Sequence, residues 1–172
     1  MQVALSTDRL FAEATVGAGK AITLLAPLTD AVAHTVNGAA ITGLGFFRQA
    51  AIVLTLTDAK AAAADTLSVY VDTSYDGGLT WVNAGRFTTI LGNGADAIIR
   101  QMVLDPGGNP GATDLDVTSE CASGVVRPTL FGDALRARYV IVDGGAHGQS
   151  FSVGVSAYVK AWGWCTGRGG GQ

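Results

Sequence analysis

Thr66-Leu67-Ser68-Val69-Tyr70-Val71-Asp72-Thr73-Ser74-Tyr75-Asp76-Gly77-Gly78-Leu79-Thr80-Trp81 is the stretch from which the fold can be read. Leu67, Val69 and Val71 alternate with Thr66, Ser68, Tyr70 and Asp72, the period-2 pattern of a strand with one face in a core and one in water. Ser74 to Trp81 then reads as a tight turn. Asp76 can bond backbone N–H groups across it, and Gly77 and Gly78 can take the positive φ values it needs. A second β-rich run from Trp81 to Ile90 completes a hairpin.

The same patterning recurs along the chain. Ala21 to Leu25 reads as a short strand closed by Pro27, Asn37-Gly38 as a turn, and Ala40 to Phe47 as an apolar, glycine-rich strand. Ile52, Leu54 and Leu56 alternate with Val53, Thr55 and Thr57. Asp58 to Asp65, rich in alanine, suggests one or two helical turns behind an Asp cap; alone it is too short for a stable helix. Asn93-Gly94 turns the chain into a strand from Ala97 to Leu104 with Ile98, Met102 and Leu104 on one face. Leu135, Ala137, Tyr139 and Ile141 alternate with Arg136 and Arg138. In the last strand Phe151, Val153, Val155, Ala157 and Val159 face inward, and Trp162 and Trp164 continue it on one side.

These runs predict an all-β chain: an antiparallel β-sandwich or jelly roll of about eight strands. Residues 1–20 are expected to form an extended N-terminal arm, 21–165 the β-sandwich domain, and 166–172 a glycine-rich tail. Within the domain, 105–133 stands out as one long loop, which implies either a functional segment or an irregular strand. No internal repeat of the whole unit is visible.

Composition narrows the function classes. The 172 residues suffice for one domain with a proper core. Only 15% are charged and 48% hydrophobic, where about a quarter charged is usual. Part of the surface is therefore expected to be buried against other subunits. A net charge of −3 gives no electrostatic reason to expect nucleic acid as a partner. Neither a signal peptide nor a membrane-spanning run is expected, and Cys121 and Cys165 are read as unrelated reduced thiols.

Catalytic and metal chemistry find little material. His34 and His147 are the only histidines, and neither has ligand spacing or a nucleophile motif beside it. Asp114, Asp116 and Glu120 lack the ligand alternation of an EF-hand loop and read as a solvated acidic loop. Gly17-Ala18-Gly19-Lys20 lacks the first glycine and the Ser or Thr of a phosphate loop. No enzyme activity, cofactor or metal is expected. Arg136 and Arg138 are expected to meet carboxylates at a sheet face or a subunit contact. Trp162 and Trp164 read as an interface pair, or else as a sugar-stacking platform.

Ser74-Tyr75-Asp76-Gly77-Gly78-Leu79-Thr80-Trp81 resembles the Asp-box of sialidases and related β-propellers, Ser-x-Asp-x-Gly-x-Thr-Trp. In those proteins the box is a structural hairpin lock, so the resemblance implies roles for Ser74, Asp76, Gly77, Gly78 and Trp81 in the turn and predicts no activity. A propeller of about six blades of some 40 to 50 residues does not fit in this chain. Thr66 to Trp81 together with Phe87, Leu135-Arg136-Ala137-Arg138-Tyr139 and Ser150-Phe151-Ser152-Val153 resembles small all-β virion proteins of tailed bacteriophages. That resemblance does not extend to residues 1–50 or 105–133. It implies a structural virion protein, assembled in the host cytoplasm, with the major capsid protein or other virion subunits as partners and a homo-oligomeric state. A capsid decoration (cement) protein bridging capsomers is the favoured role. A tail or head–tail joining protein and a carbohydrate-binding module are the alternatives.

Overall fold

A computed structural model of the chain describes residues 21–30, 35–59, 64–92, 97–106, 117–142, 144 and 151–161. The expected arm, the tail, His34, His147, Asp114, Asp116, Trp162, Trp164 and Cys165 lie outside them. Among the described residues nine strands follow in chain order: β1 (Ala21–Asp30), β2 (Thr35–Asn37), β3 (Phe47–Ala59), β4 (Thr66–Ser74), β5 (Val82–Arg86), β6 (Ile90–Leu91), β7 (Ile98–Leu104), β8 (Ala134–Val142) and β9 (Phe151–Ala161). They form two antiparallel sheets. One runs β1-β9-β3-β7 and the other β2-β8-β4-β5, with β6 also on β4.

β5 and β6 are two pieces of one strand. Both lie along β4, β5 opposite Tyr70 to Thr73 and β6 opposite Thr66 and Leu67, and the Phe87 N–H bonds the Val69 carbonyl between them at 2.9 Å. With that strand counted once, the first pairs with the last, the second with the seventh, the third with the sixth and the fourth with the fifth. This concentric pairing, rolled so that β9 also meets β3 and β8 also meets β4, is jelly-roll wiring. The chain is an antiparallel β-sandwich of the jelly-roll type.

The core lies between the inner faces of the sheets, where the strand alternation puts it. Ile22, Ala157, Ile52 and Met102 form one inward row across four strands. Leu67, Val69 and Val71 face it from β4, beside Ile141, Tyr139 and Ala137 of β8. Each such fully buried aliphatic side chain contributes about 1.5–3 kcal/mol relative to exposure.

Several local expectations are corrected. Pro27 does not close the first strand: β1 continues to Asp30, with register shifts between Thr23 and Leu25 and between Leu25 and Leu28. On an edge strand, at an irregularity, proline removes no needed ladder bond. Ala40 to Phe47 is not a strand. Gly43 takes φ 77° ahead of a short 3-10 turn at Leu44–Phe46, and only Ile41 makes an isolated bridge, to Leu135. Asn37-Gly38, read as a turn, instead closes the short strand β2. Asp58 and Ala59 belong to β3 rather than to a helical turn.

The correction that matters most concerns β4. Its polar side was expected in water, yet every residue from Leu67 to Ser74 is buried. Residues 117–131 of the long connection fold back against that side of the sheet. The Arg86 N–H bonds the Val125 carbonyl at 2.9 Å, the Arg127 N–H bonds the Ala84 carbonyl at 2.8 Å, and Val126 bridges Gly85. Part of the connection thus runs as an irregular edge strand along β5.

Candidate functional site

Two structures share this covered face: a locked hairpin turn and, beside it, a ladder of arginines and aromatic rings. In the turn, one Asp76 carboxylate oxygen accepts the Thr80 N–H at 2.8 Å, the Leu79 N–H at 3.1 Å and the Ser74 hydroxyl at 2.7 Å. The Ser74 hydroxyl oxygen accepts the Gly78 N–H at 2.8 Å. Gly77 and Gly78 sit at φ 73° and 96°, where a side chain is strained. The Trp81 ring lies under the turn, and a Cβ on Gly78 would be 3.3 Å from its Cζ2. Hydrogen bonds from the Thr80 N–H, then from the Ser74 and Thr80 hydroxyls, hold the Asp76 carboxyl at a pKa of about 2. Asp76 itself is exposed, so its carboxylate serves as a turn lock.

The ladder follows from strand register. β8 sets Arg136 opposite Asp72 and Arg138 opposite Tyr70, and β5 sets Arg86 opposite Tyr70 on the other side. Trp81 carries the Arg136 guanidinium 4.4 Å above its ring. Tyr70 carries Arg138 at 4.2 Å and Arg86 at 5.1 Å. One oxygen of Asp72 accepts both Arg136 Nε at 3.2 Å and Arg138 Nε at 3.4 Å. Arg138 Nη2 also reaches Glu120 at 2.7 Å. Burial works against the Arg138 charge, but Asp72 and Glu120 outweigh it and raise the guanidinium pKa above its ordinary value. Arg86 donates through Nη2 to the hydroxyls of Ser68 at 2.7 Å and Thr89 at 2.9 Å. Its buried Nε has no acceptor.

Asn83 stitches the covering segment to the sheet. Its amide nitrogen donates to the Val71 and Gly85 carbonyls and to Asp72 Oδ1, and its amide oxygen accepts the Cys121 N–H at 2.8 Å. Arg127 Nη1 bonds the Asn83 carbonyl at 2.9 Å and the Ser119 carbonyl at 3.0 Å. Cys121 is a free, buried thiol whose pKa is pushed up by that burial. Between the segment and the sheet remains an open cavity of about 210 Å³, bordered by Asp72, Trp81, Asn83, Ser119, Arg136 and Arg138.

Sequence reasoning placed Arg136 and Arg138 on one face and grouped Ser74, Asp76, Gly77, Gly78 and Trp81 in one turn. It did not connect the two groups, although Trp81 joins them as the floor under Arg136. It missed Asp72 and Asn83 as the hubs, and it read Glu120 as a solvated loop residue where the structure pairs it with Arg138. Among the described residues no group of three potential metal ligands comes together. Chemically, the face offers guanidinium donors and hydroxyls.

No protein-family model matches the sequence, and no curated protein matches it. Among solved structures, the chain is similar to the infectious bursal disease virus VP2 subviral particle, with 11% identity over 83% of this chain and 32% of that one, at a TM-score of 0.47. It is also similar to the infectious bursal disease virus Gx strain structure, with 9% identity over 84% and 33% of the two chains, at a TM-score of 0.48. This chain spans about a third of the length of those structures. At such identities no residue of theirs maps onto a functional residue here.

Proposed function

We propose that this chain is a structural protein of a virus particle, a capsid decoration protein of a tailed phage that sits on the shell and bridges neighbouring subunits. The observation that carries the reading is the outer face of the β1-β9-β3-β7 sheet. Its central rows run Tyr158-Ala51-Val103, then Thr23-Ser156-Val53-Gln101, then Gly154-Thr55-Ile99. None of these residues is charged; Lys160 comes at one end, opposite Gln49, and Asp58 at the other, opposite Ser152. Ile99 is 74% exposed, and Tyr158 and Val103 are also open to solvent. An ordinary solvated sheet face carries charges of both signs. A face with uncharged central rows, one of them crossing all four strands, has the composition of an interface core, from which charges are depleted.

The jelly roll supports the reading as a scaffold but does not select it, because the fold also serves lectins and other binding domains. A carbohydrate-binding module needs exposed aromatic rings. The platform expected for it, Trp162 and Trp164, lies outside the described residues; Tyr70 and Trp81 do not supply one, because both rings lie under arginines. A tail or head–tail joining role would use the same uncharged face in a ring of copies.

The test is attachment. The chain should be found by mass spectrometry in purified particles of its virus and should rebind particles stripped of it. Val53→Glu with Thr55→Glu puts two charges in the middle of the face without touching the core, so the variant should fold but fail to bind. Rebinding of that variant at parental occupancy would overturn the proposal.

A further inference from the structure

The cavity beside Trp81 lies on the opposite sheet from the uncharged face, and its chemistry is separate. A guanidinium has five N–H donors in a flat fork. Arg136 uses one of them, Nε, on Asp72. Its two terminal nitrogens bond no other acceptor among the described residues, yet the group is already held flat on Trp81 and anchored by a carboxylate that is 4% exposed. The entropy of ordering that fork is largely spent before any ligand arrives.

The carboxylates already at the cavity leave those nitrogens open. Asp72 divides a single oxygen between two guanidiniums. The second carboxylate, Glu120, bonds Arg138 and the Tyr70 hydroxyl, from a side chain 56% exposed on the covering segment. Two arginines and two carboxylates border one open cavity of about 210 Å³, room for a carboxylate on a short stem, and neither carboxylate bonds the terminal nitrogens of Arg136.

We propose that this cavity is a carboxylate-binding subsite, which takes an acidic group from outside the chain onto the terminal nitrogens of Arg136. Glu120 is the internal competitor for Arg138, and an entering carboxylate displaces it or shares the guanidinium with it. The shared chemistry is the carboxylate; an acidic side chain of a neighbouring protein and an acidic sugar both supply one.

The experiment uses the full ¹⁵N-labelled chain and follows the arginine Nε–H resonances by NMR. N-acetylglutamate and glucuronate are titrated in, with N-acetylglutamine and glucose as neutral counterparts. Arg136 should shift saturably with a carboxylate and not with its neutral counterpart, with weak, millimolar affinity for an isolated group. Glu120→Gln should tighten binding roughly two- to five-fold, as expected for removing one exposed ion pair. Read at the Arg138 Nε–H, which borders the same cavity, Arg136→Gln should abolish the response, and Arg136→Lys, which keeps the charge but loses the fork, should weaken it. Glu120→Gln carries the test even if the Arg136 variants fold poorly. A response to N-acetylglutamate alone assigns the site to a protein neighbour, one to glucuronate alone to an acidic glycan, and either supports the subsite. No saturable shift in parent and Glu120→Gln up to tens of millimolar, an equal response to neutral analogues, or unchanged affinity in Glu120→Gln would each overturn it. None of these results bears on particle attachment through the uncharged face.

Discussion

Asp72→Asn isolates what the buried ladder is worth. The carboxylate accepts Arg136 and Arg138 through one oxygen and the Asn83 amide through the other. An Asn side chain fits the same space but turns one acceptor into an NH₂ donor. Either that donor faces two guanidiniums or it faces the Asn83 amide nitrogen, and in both cases the negative charge is gone. Removing one partner of a buried ion pair costs about 3–5 kcal/mol, because the surviving charge stays desolvated. The arginine side chains here are 22% and 16% exposed, and Arg138 keeps Glu120. Water can therefore recover part of the loss, which puts the cost near the lower end, about 3 kcal/mol. For a chain of this length each kcal/mol corresponds to roughly 2–4 °C, so the melting temperature should fall by about 6–12 °C.

The assay is thermal unfolding followed by circular dichroism at pH 7, in low and in high salt. Because the pair is buried, added salt should change the difference little. A companion variant separates ion pairing from packing. Asp72→Leu with Arg136→Met and Arg138→Met replaces the whole cluster by apolar groups, and such replacements are often neutral; it should melt closer to the parent than Asp72→Asn does. If Asp72→Asn melts within about 1 °C of the parent, the arginines are effectively solvated and the buried-ladder account fails. If the triple variant is no better than the single one, the ladder holds the covering segment by shape rather than by charge.

Three further outcomes follow from the same face. Asp76 should titrate with a midpoint near 2 in the folded chain, below the usual carboxylate value; its contribution to stability is then complete above about pH 4 and lost as pH falls through about 2. A carboxyl-carbon NMR titration checks this, and a midpoint near 4 would dismiss the turn lock. Cys121, buried and with its thiol pKa raised, should react with a thiol reagent slowly at neutral pH and rapidly once the chain is unfolded, read at the Cys121 peptide; rapid labelling of the folded chain would show that the covering segment opens. A Cβ on Gly132 would overlap the Ser74 carbonyl, so Gly132→Ala should destabilise by about 1–3 kcal/mol, whereas Gly77→Asn, at φ 73° with open space around it, should be tolerated. Equal melting temperatures for those two glycine variants would contradict the close approach of Gly132 to the hairpin.

What the sequence revealed about this fold depended on how far apart the interacting residues lie. The hairpin lock was legible because its donors and acceptors fall within Ser74 to Thr80, and strand alternation exposed the inner rows because one face of each strand repeats every second residue. The same alternation misjudged β4. Ser68, Tyr70 and Asp72 are polar, and polar residues on one strand face ordinarily mean water. Ser68 is bonded by Arg86, eighteen residues later, Asp72 by Arg136 and Arg138, more than sixty residues later, and the face is covered by a segment that Asn83 holds through Cys121. A period-2 pattern has no way to distinguish a polar residue in water from one buried among opposite charges. The arginines on β8 were the available signal. Arg136 and Arg138, flanked by inward-facing Leu135, Ala137 and Tyr139, place two cations side by side on one face, and like charges at that spacing repel unless carboxylates lie between or beside them. Asp72 lies between them and Glu120 beside one of them. The outer side of the other sheet carries no such pair. There Thr23, Val53, Thr55, Gln101 and Ser156 need neither counter-ion nor cover to be stable in water. The two faces therefore differ in kind: one is covered through the chain's own charges, and the other is uncharged along its central rows, as the proposed attachment to a neighbouring subunit requires.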